Sequence, residues 1–455
     1  MLRKIIAGTI TAALICGLTG GCAKNKKSDV TTITVWTGNG HDKSYLTEKV
    51  EEWNKTVGAE KKIRIEYTVQ NNSMEVAFSN GTAPDLFAGA DLVNDAAKGR
   101  LLPVSELTGG NELIEKYNDY LREGLEKTGG KVYSIPYGFT TYGLIYNKDM
   151  FKAAGIVDEN GEAKPPKTLS EMREYAKKLT NASKKEYGYI LPTKDNLAYD
   201  LDIGKWSMTV CGFPNGANPK TGKRDVTGIT KMTKFINSLV NDKSIMPGSE
   251  SMTNDAGRAK FSAGGVGMKS AGSYDFGVLT EQFPANIDWG VAPFPGNEDG
   301  ETKYRSYAEV TRYLYINAKS AEEKGLDKLS EVYKWFYSDE LVADMYKNGL
   351  RIPIFENIIN ETKVPEDKPQ WKEFAELVKV SNTVKPGTKA DLKNKRSFDV
   401  IWTESIFREN LSDSEIEKLY KEAEEYVNEA IDVYYSEHPE ENRNDRIFPD
   451  WNDEL

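Results

Sequence analysis

Histidine is scarce in this 455-residue chain: His41 and His438 are the two present, and the second lies in an acidic C-terminal stretch. Two such imidazoles assemble neither a Ser-His-Asp array nor a histidine metal cluster, and their scarcity weakens a metal-uptake role. Carboxylates are abundant, with Asp+Glu at 70, so close pairs arise from number alone. A glycosidase would need an acid and a nucleophile or base about 5 to 9.5 Å apart, a distance that sequence spacing does not display. Gly264-Gly265-Val266-Gly267 lacks the Lys-Ser/Thr ending of a phosphate loop and suits a helix-to-strand turn. Aromatic side chains are the remaining resource, with Trp at 8 and Tyr at 24. Flat rings cover apolar C–H faces and fixed polar groups meet hydroxyls, the combination a sugar site needs. Most of these rings must nonetheless serve core or surface.

The elements that could position such groups begin after an export leader. Arg3 and Lys4 precede an uncharged apolar run, Ile5 to Gly21, which is shorter than the roughly 20 residues needed to span a bilayer. Its end, Leu18-Thr19-Gly20-Gly21-Cys22, resembles the lipobox of bacterial lipoproteins, with Thr19 departing from the usual aliphatic residue. The resemblance implies a signal peptide over 1–21, a lipid on Cys22 and a lysine-rich tether over 22–30 that holds the body at the outer face of the cell membrane. One acyl chain binds membranes marginally, so multiple acylation is expected. Cys16 leaves with the leader and Cys22 is acylated, which leaves Cys211 alone and excludes an intrachain disulfide framework. The net charge is -10, and loss of Arg3 and Lys4 takes it to -12, which opposes nucleic acid or an anionic lipid surface as partner.

The length exceeds what one core usually serves, so two lobes are expected. Ile33 to Trp36 is a β-prone run. Leu46, Val50, Trp53 and Val57 follow at helical spacing, and Ile63, Ile65, Tyr67 and Val69 alternate as in a strand. A third run, Asp85 to Ala88, continues a strand-helix alternation that predicts a mostly parallel sheet with helical cover. Thr168 and Glu171 form a capping box ahead of Met172, Ala176 and Leu179. Further helices are predicted over Met232–Val240, Asp255–Ala263 and Leu329–Met345. A long one follows Ser412 with Ile416, Leu419, Ala423, Val427, Ala430 and Tyr434 in register. No internal repeat is present, and the spacing after Gly188 does not supply the strand-helix units of a barrel.

Gly130 to Tyr137, followed by Leu144-Ile145-Tyr146-Asn147-Lys148-Asp149-Met150-Phe151 and Ala154-Gly155-Ile156, resembles the extracellular solute-binding proteins of carbohydrate ABC importers, the maltodextrin-binding-like family. Trp36 at the end of the first strand, Gly81 to Phe87 with its Pro84-Asp85 pair, Arg258 to Gly264 leading into Val266-Gly267-Met268, and Gly290 to Gly296 agree in order. The resemblance implies a periplasmic-binding-protein-like α/β fold, with two lobes, a ligand cleft and crossing hinge segments. It implies an N-terminal lobe of 31–138 plus 305–360 and a C-terminal lobe of 139–304 plus 361–455. The crossings fall near Tyr137–Thr141, Tyr304–Val310 and Arg351–Lys363.

Position by position, the resemblance places Trp36, Asn39, His41, Asp42 and Lys43 at the end of the first strand and in the loop after it. It places Asp91 after the Pro-Asp pair; hydroxyl binding is favoured there over capping a helix that starts at Leu92. Both loops follow parallel strands, where open sheets bind ligands. Asp85 is read as structural. Ser273 and Tyr274 form a stacking platform, Trp402 forms another, and Trp206 divides between cleft and core. Tyr137, Phe139 and Tyr142 line the first crossing, while Glu309 and Arg351 pair across the hinge or grip hydroxyls. The function implied is capture of a carbohydrate by a monomer, without chemistry or cofactor, for delivery to ABC permease subunits. An extracellular glycosidase and an adhesive surface protein are the alternatives.

Overall fold

A computed structural model describes residues 30–38, 40–70, 72–383, 387–408 and 411–455, with backbone alone at 312–313 and 407–408. Cys22, the tether and Asn39 lie outside the described residues. The chain opens with β1 (Thr31–Thr37), α1 (Lys43–Lys55), β2 (Ile63–Val69) and β3 (Leu86–Phe87). In α1 the helical spacing buries Leu46, Val50 and Trp53, each contributing about 1.5 to 3 kcal/mol by leaving water. Then come β4 (Ser134–Asn147), α2 (Leu169–Leu179), β5 (Tyr187–Tyr189), α3 (Thr227–Asn241), α4 (Asn254–Ser262) and β6 (Val266–Gly272). The capping box of α2 forms: Glu171 N–H donates to Thr168 Oγ1 at 3.2 Å, and Thr168 N–H donates back to Glu171. The last elements are β7 (Trp289–Ala292), β8 (Ser306–Ile316), α5 (Leu326–Phe336), α6 (Asp339–Lys347), β9 (Ser381–Thr383) and α7 (Asp413–Glu437).

Two sequence expectations need correction. The helix expected over Leu329–Met345 is two helices, α5 and α6, because Ser338 leaves helical geometry and its hydroxyl accepts from Leu341 N–H at 3.3 Å as an N-cap. The sheet is mixed rather than mostly parallel. Its order is β2-β1-β3-β8-β4-β6-β5, with β7 on β4 and β9 on β8. β1 pairs in parallel with β2 and β3, whereas β8 and β4 are antiparallel to each other and β6 is antiparallel to β4.

β4 joins two cores. Its first part pairs with β8 as far as Thr141, opposite Ala308, and its second part pairs with β6 from Tyr142, opposite Gly272. One core gathers Ile33, Val50, Ile65, Tyr137, Val310, Tyr333 and Ile354. Another gathers Tyr142, Leu144, Met172, Trp206, Phe235, Met268 and Trp402. A further cluster, including Phe276, Trp289, Trp371 and Phe374, draws in Tyr346 and Ile352 from the end of α6 and the segment after it. That segment lies tight on β4: Phe139 N–H donates to Ile352 O at 2.8 Å, and a Cβ on Gly138 would stand 2.6 Å from the same oxygen. Thr141, at the junction, donates its hydroxyl to Phe374 O at 2.8 Å.

Candidate functional site

Side-chain exposure along the crossing strands marks a face that the cores leave open. On β8, Tyr307, Glu309 and Thr311 are partly exposed between buried Ser306, Ala308 and Val310. That is the period-2 signature of a strand with one free face. On β4, Phe139 and Thr140 are the partly exposed positions, and Thr140 sits opposite Glu309. Tyr142 OH donates to Glu309 at 2.9 Å, and Tyr142 meets Tyr307 at a ring separation of 5.6 Å. Burial, then the charge of Glu309, pushes the Tyr142 phenol well above its ordinary range, so it stays protonated and donating.

Three further groups close around this floor. Lys205 ends a π-helical segment, Tyr199–Lys205, that holds its ammonium 4.8 Å from the Tyr142 ring and 5.4 Å from that of Tyr307. Its ion-pair partner is Asp200. Tyr274 approaches Tyr142 edge-on, 6.3 Å between rings, and folds back over Gly272, where a Cβ would stand 2.6 Å from its ring. Burial and Asp275 raise the Tyr274 phenol as well. Arg258 lies 5.7 Å over the Tyr274 ring and bonds Asp255 at 2.7 Å and Asp275, which also accepts from Gly272 N–H at 2.9 Å.

Tyr274 also lines a cavity of about 220 Å³ together with His41, Gly277, Asn348, Leu350 and Lys368. Residues 41 and 274 thus reach one hollow from β1 and from β6. His41 titrates below its ordinary value, first through crowding that excludes water and further through the Arg351 charge, with Asp42 opposing. Larger hollows lie elsewhere, among them one of about 470 Å³ beside Trp53 and Trp335. One of about 970 Å³, between α3 and α7, carries on its wall the ion pairs of Lys234 with Glu417 and Lys421 with Glu424. Another, about 630 Å³, is lined by Pro165, Pro166, Phe294 and Tyr304. Neither of these last two contains any of the ligand-contact candidates named from sequence. Among the described residues no cluster of His, Cys, Asp or Glu is arranged to hold a metal ion.

Tyr142, Tyr274 and Glu309 therefore come together, His41 shares the adjoining cavity with Tyr274, and Ser273 is buried beside Tyr274 with its N–H on Thr141 O at 2.9 Å. Other expectations are corrected. Glu309 and Arg351 do not pair: Arg351 binds Asp42 at 2.8 Å, both side chains buried, and its guanidinium lies 4.0 Å over Tyr137. Tyr137 is a core ring whose OH meets Met345 Sδ at 3.2 Å. Trp206 is wholly enclosed, stacked 4.7 Å from Phe294 with its indole N–H on Pro295 O at 2.7 Å, because that carbonyl satisfies its one polar atom inside the core. Trp402 is likewise buried, 5.8 Å from Tyr199. Asp91 caps a helix after all, accepting from Asn94 N–H at 3.4 Å and from its amide at 2.6 Å. Trp36 packs against the cluster around Phe87 and Tyr315. Lys43 is exposed at the start of α1 and does not line the 220 Å³ cavity. Asp85 is structural, accepting from Thr34 N–H at 2.7 Å and Thr34 Oγ1–H at 2.9 Å. Sequence reasoning missed Lys205, Tyr307, Thr140 and Thr311.

The model of the bacterial extracellular solute-binding proteins matches residues 37–343, which takes in the floor and both of its crossing strands. The chain belongs to that family. A maltotriose-binding protein of Pyrococcus abyssi is 25% identical to this solute-binding protein over 302 residues, 65% of this chain and 60% of that one. An arabinooligosaccharide-binding protein of Bacillus subtilis is 25% identical over 262 residues, 54% of this chain and 57% of that one. The match thus spans less than two thirds of the length of these curated relatives. Among solved structures, a chitin oligosaccharide binding protein superposes with a TM-score of 0.67 at 16% identity, covering 88% of this chain and 99% of that one. A maltose/maltodextrin-binding domain of Bdellovibrio bacteriovorus, bound to maltotriose, gives 0.63 at 17% identity, covering 89% and 100%. These likenesses establish the periplasmic-binding-protein-like fold. Among the described residues no helix is long and apolar enough to cross a membrane.

Proposed function

We propose that this solute-binding protein captures an oligosaccharide at the outer face of the cell membrane and hands it to an ABC importer permease, performing no chemistry itself. The observation that carries the reading is the floor of Thr140, Tyr142, Tyr307 and Glu309, where rings for C–H faces adjoin a carboxylate acceptor and protonated phenol donors. The binding proteins for maltotriose and arabinooligosaccharide among its relatives support the substrate class.

Ligand is held between a lobe of 31–138 plus 305–360 and a lobe of 139–304 plus 361–455, a division that the separate cores on either side of Thr141–Tyr142 support. A ligand bridging both lobes shifts the protein toward the closed form that the permease reads, and ATP hydrolysed by partner subunits drives transport. The protein works as a monomer, tethered by lipid on Cys22, and a Cys22→Ala variant is accordingly released into the medium. The decisive experiment is thermal unfolding against maltotriose, raffinose, arabinotriose and chitotriose, with peptides as control. A ligand of the native state at a hundred times Kd adds about 2.7 kcal/mol. A shift with peptide and none with any sugar would sink the carbohydrate reading.

A further inference from the structure

The charges around the cleft are unevenly matched, and the imbalance bears on which sugars it admits. Among the described residues, the cations beside the floor and the crossing strands, Lys205, Arg258 and Arg351, are each engaged by carboxylate. Lys205 is paired with Asp200 and is largely enclosed. Arg258 is held by Asp275 and by Asp255 at 2.7 Å. Arg351 is sealed with Asp42 at 2.8 Å. In the adjoining cavity Lys368 donates to Lys347 O at 3.3 Å and shares the wall with the carboxylates of Asp367 and Glu281. Glu309 stands apart: its hydrogen bond is to the Tyr142 phenol at 2.9 Å, and among the described residues it forms no salt bridge. Carboxylates thus outnumber cations along this wall, and among the described residues the carboxylate on the open strand face, Glu309, has no cation.

Resting on the carbohydrate reading above, we infer that the cleft selects uncharged oligosaccharides, with a ligand hydroxyl donating to Glu309, and rejects uronates and sugar phosphates. At the floor an incoming anion has two places to go. It stands against Glu309, where like charges repel in a partly dry site, or it takes Lys205 or Arg258 from its carboxylate and leaves that carboxylate unpaired. A hydroxyl meets neither obstacle, because it donates to the carboxylate and accepts from a phenol or from the ammonium. Glu309 is in this sense a specificity-determining residue.

The test is calorimetric titration of the folded protein with two sets of probes: maltotriose, raffinose, arabinotriose and chitotriose, then trigalacturonate, a glucuronate-bearing xylo-oligosaccharide and sn-glycerol 3-phosphate. The best uncharged probe is expected to bind at least about a hundredfold more tightly than any acidic one. Raising ionic strength from low to high narrows that ratio, as screening requires, and Glu309→Gln narrows it by at least about tenfold. The salt arm uses the unaltered protein, so it stands even where Glu309→Gln folds poorly. An acidic probe binding as tightly as the best uncharged one overturns the selectivity while leaving sugar binding intact. A ratio indifferent to salt overturns it too. Silence from both sets of probes overturns the carbohydrate reading itself.

Discussion

Two clusters beside the crossing strands are built from the same residue types and do opposite things. Asp42, Arg351 and Tyr137 form one; Glu309, Lys205 and Tyr142 with Tyr307 form the other. In the first, the guanidinium lies 4.0 Å over the ring and 2.8 Å from the carboxylate, and all three side chains are buried. In the second, the ammonium stands 4.8 Å over the ring but pairs with Asp200, and Glu309 is left with a phenol on a partly exposed strand face. The difference lies in who satisfies the carboxylate. A sealed pair is scaffold, whereas a carboxylate without its cation, on a partly exposed strand face, keeps acceptor capacity for something that is not protein.

Removing Arg351 is the most forceful way to break this contrast. Arg351→Ala leaves Asp42 buried without compensation and should lower unfolding stability by about 3 to 5 kcal/mol, read from the urea midpoint at constant slope. Pairing it with Asp42→Asn should restore much of the loss. A single variant as stable as the parent would place Asp42 and Arg351 with surface pairs, which contribute about 0 to 1 kcal/mol.

The second cluster should answer differently to the same kind of insult. Tyr274→Ala removes a ring that borders the cleft, and should cost oligosaccharide affinity about 2 kcal/mol, near thirtyfold, while the melting temperature moves by only a few degrees. Calorimetric titration beside a melting curve checks both. A large melting loss with unchanged affinity would make Tyr274 a core ring like Tyr137.

Much of the frame was legible in the chain. Helical spacing found α1, the Thr168–Glu171 box found α2, and the ordered motifs found the fold, because these are local patterns tied to backbone geometry. Lys205 was not legible. It ends a π-helical segment with no sequence mark, so the neighbouring Trp206 drew attention while its indole was stacked on Phe294. Tyr307 and Thr311 alternate with Ala308 and Val310, but tyrosine suits either face of a strand, and the free face is decided by what β4 and the cores cover. Asp91 shows a competition that sequence alone does not resolve: a carboxylate ahead of a helix caps it or binds ligand, and in the fold both of its oxygens accept from Asn94.

Asp453 supplies the missing third case, a carboxylate buried with no ion pair. Asn382 donates to Oδ1 at 2.9 Å, while among the described residues Oδ2 has no hydrogen-bond partner. Burial pushes its pKa up to about 7, against lowering by Asn382 and the Arg305 charge. The sign follows from proton counting. Between roughly pH 4 and 7 the unfolded chain has lost this proton and the folded chain keeps it, so rising pH costs stability through that window and the full penalty stands above pH 7. Asp453→Asn, which never ionises, should therefore gain on the parent by about 1 to 3 kcal/mol between pH 5 and pH 8, read as the difference between urea midpoints. Other carboxylates titrate in both proteins and cancel. A difference that stays flat across this range would mean that water reaches Asp453, and that burial alone does not separate the carboxylates of this fold into paired and unpaired classes. A rising one leaves the cation as what makes Asp42 scaffold, and exposure as what leaves Glu309 free to accept from a ligand.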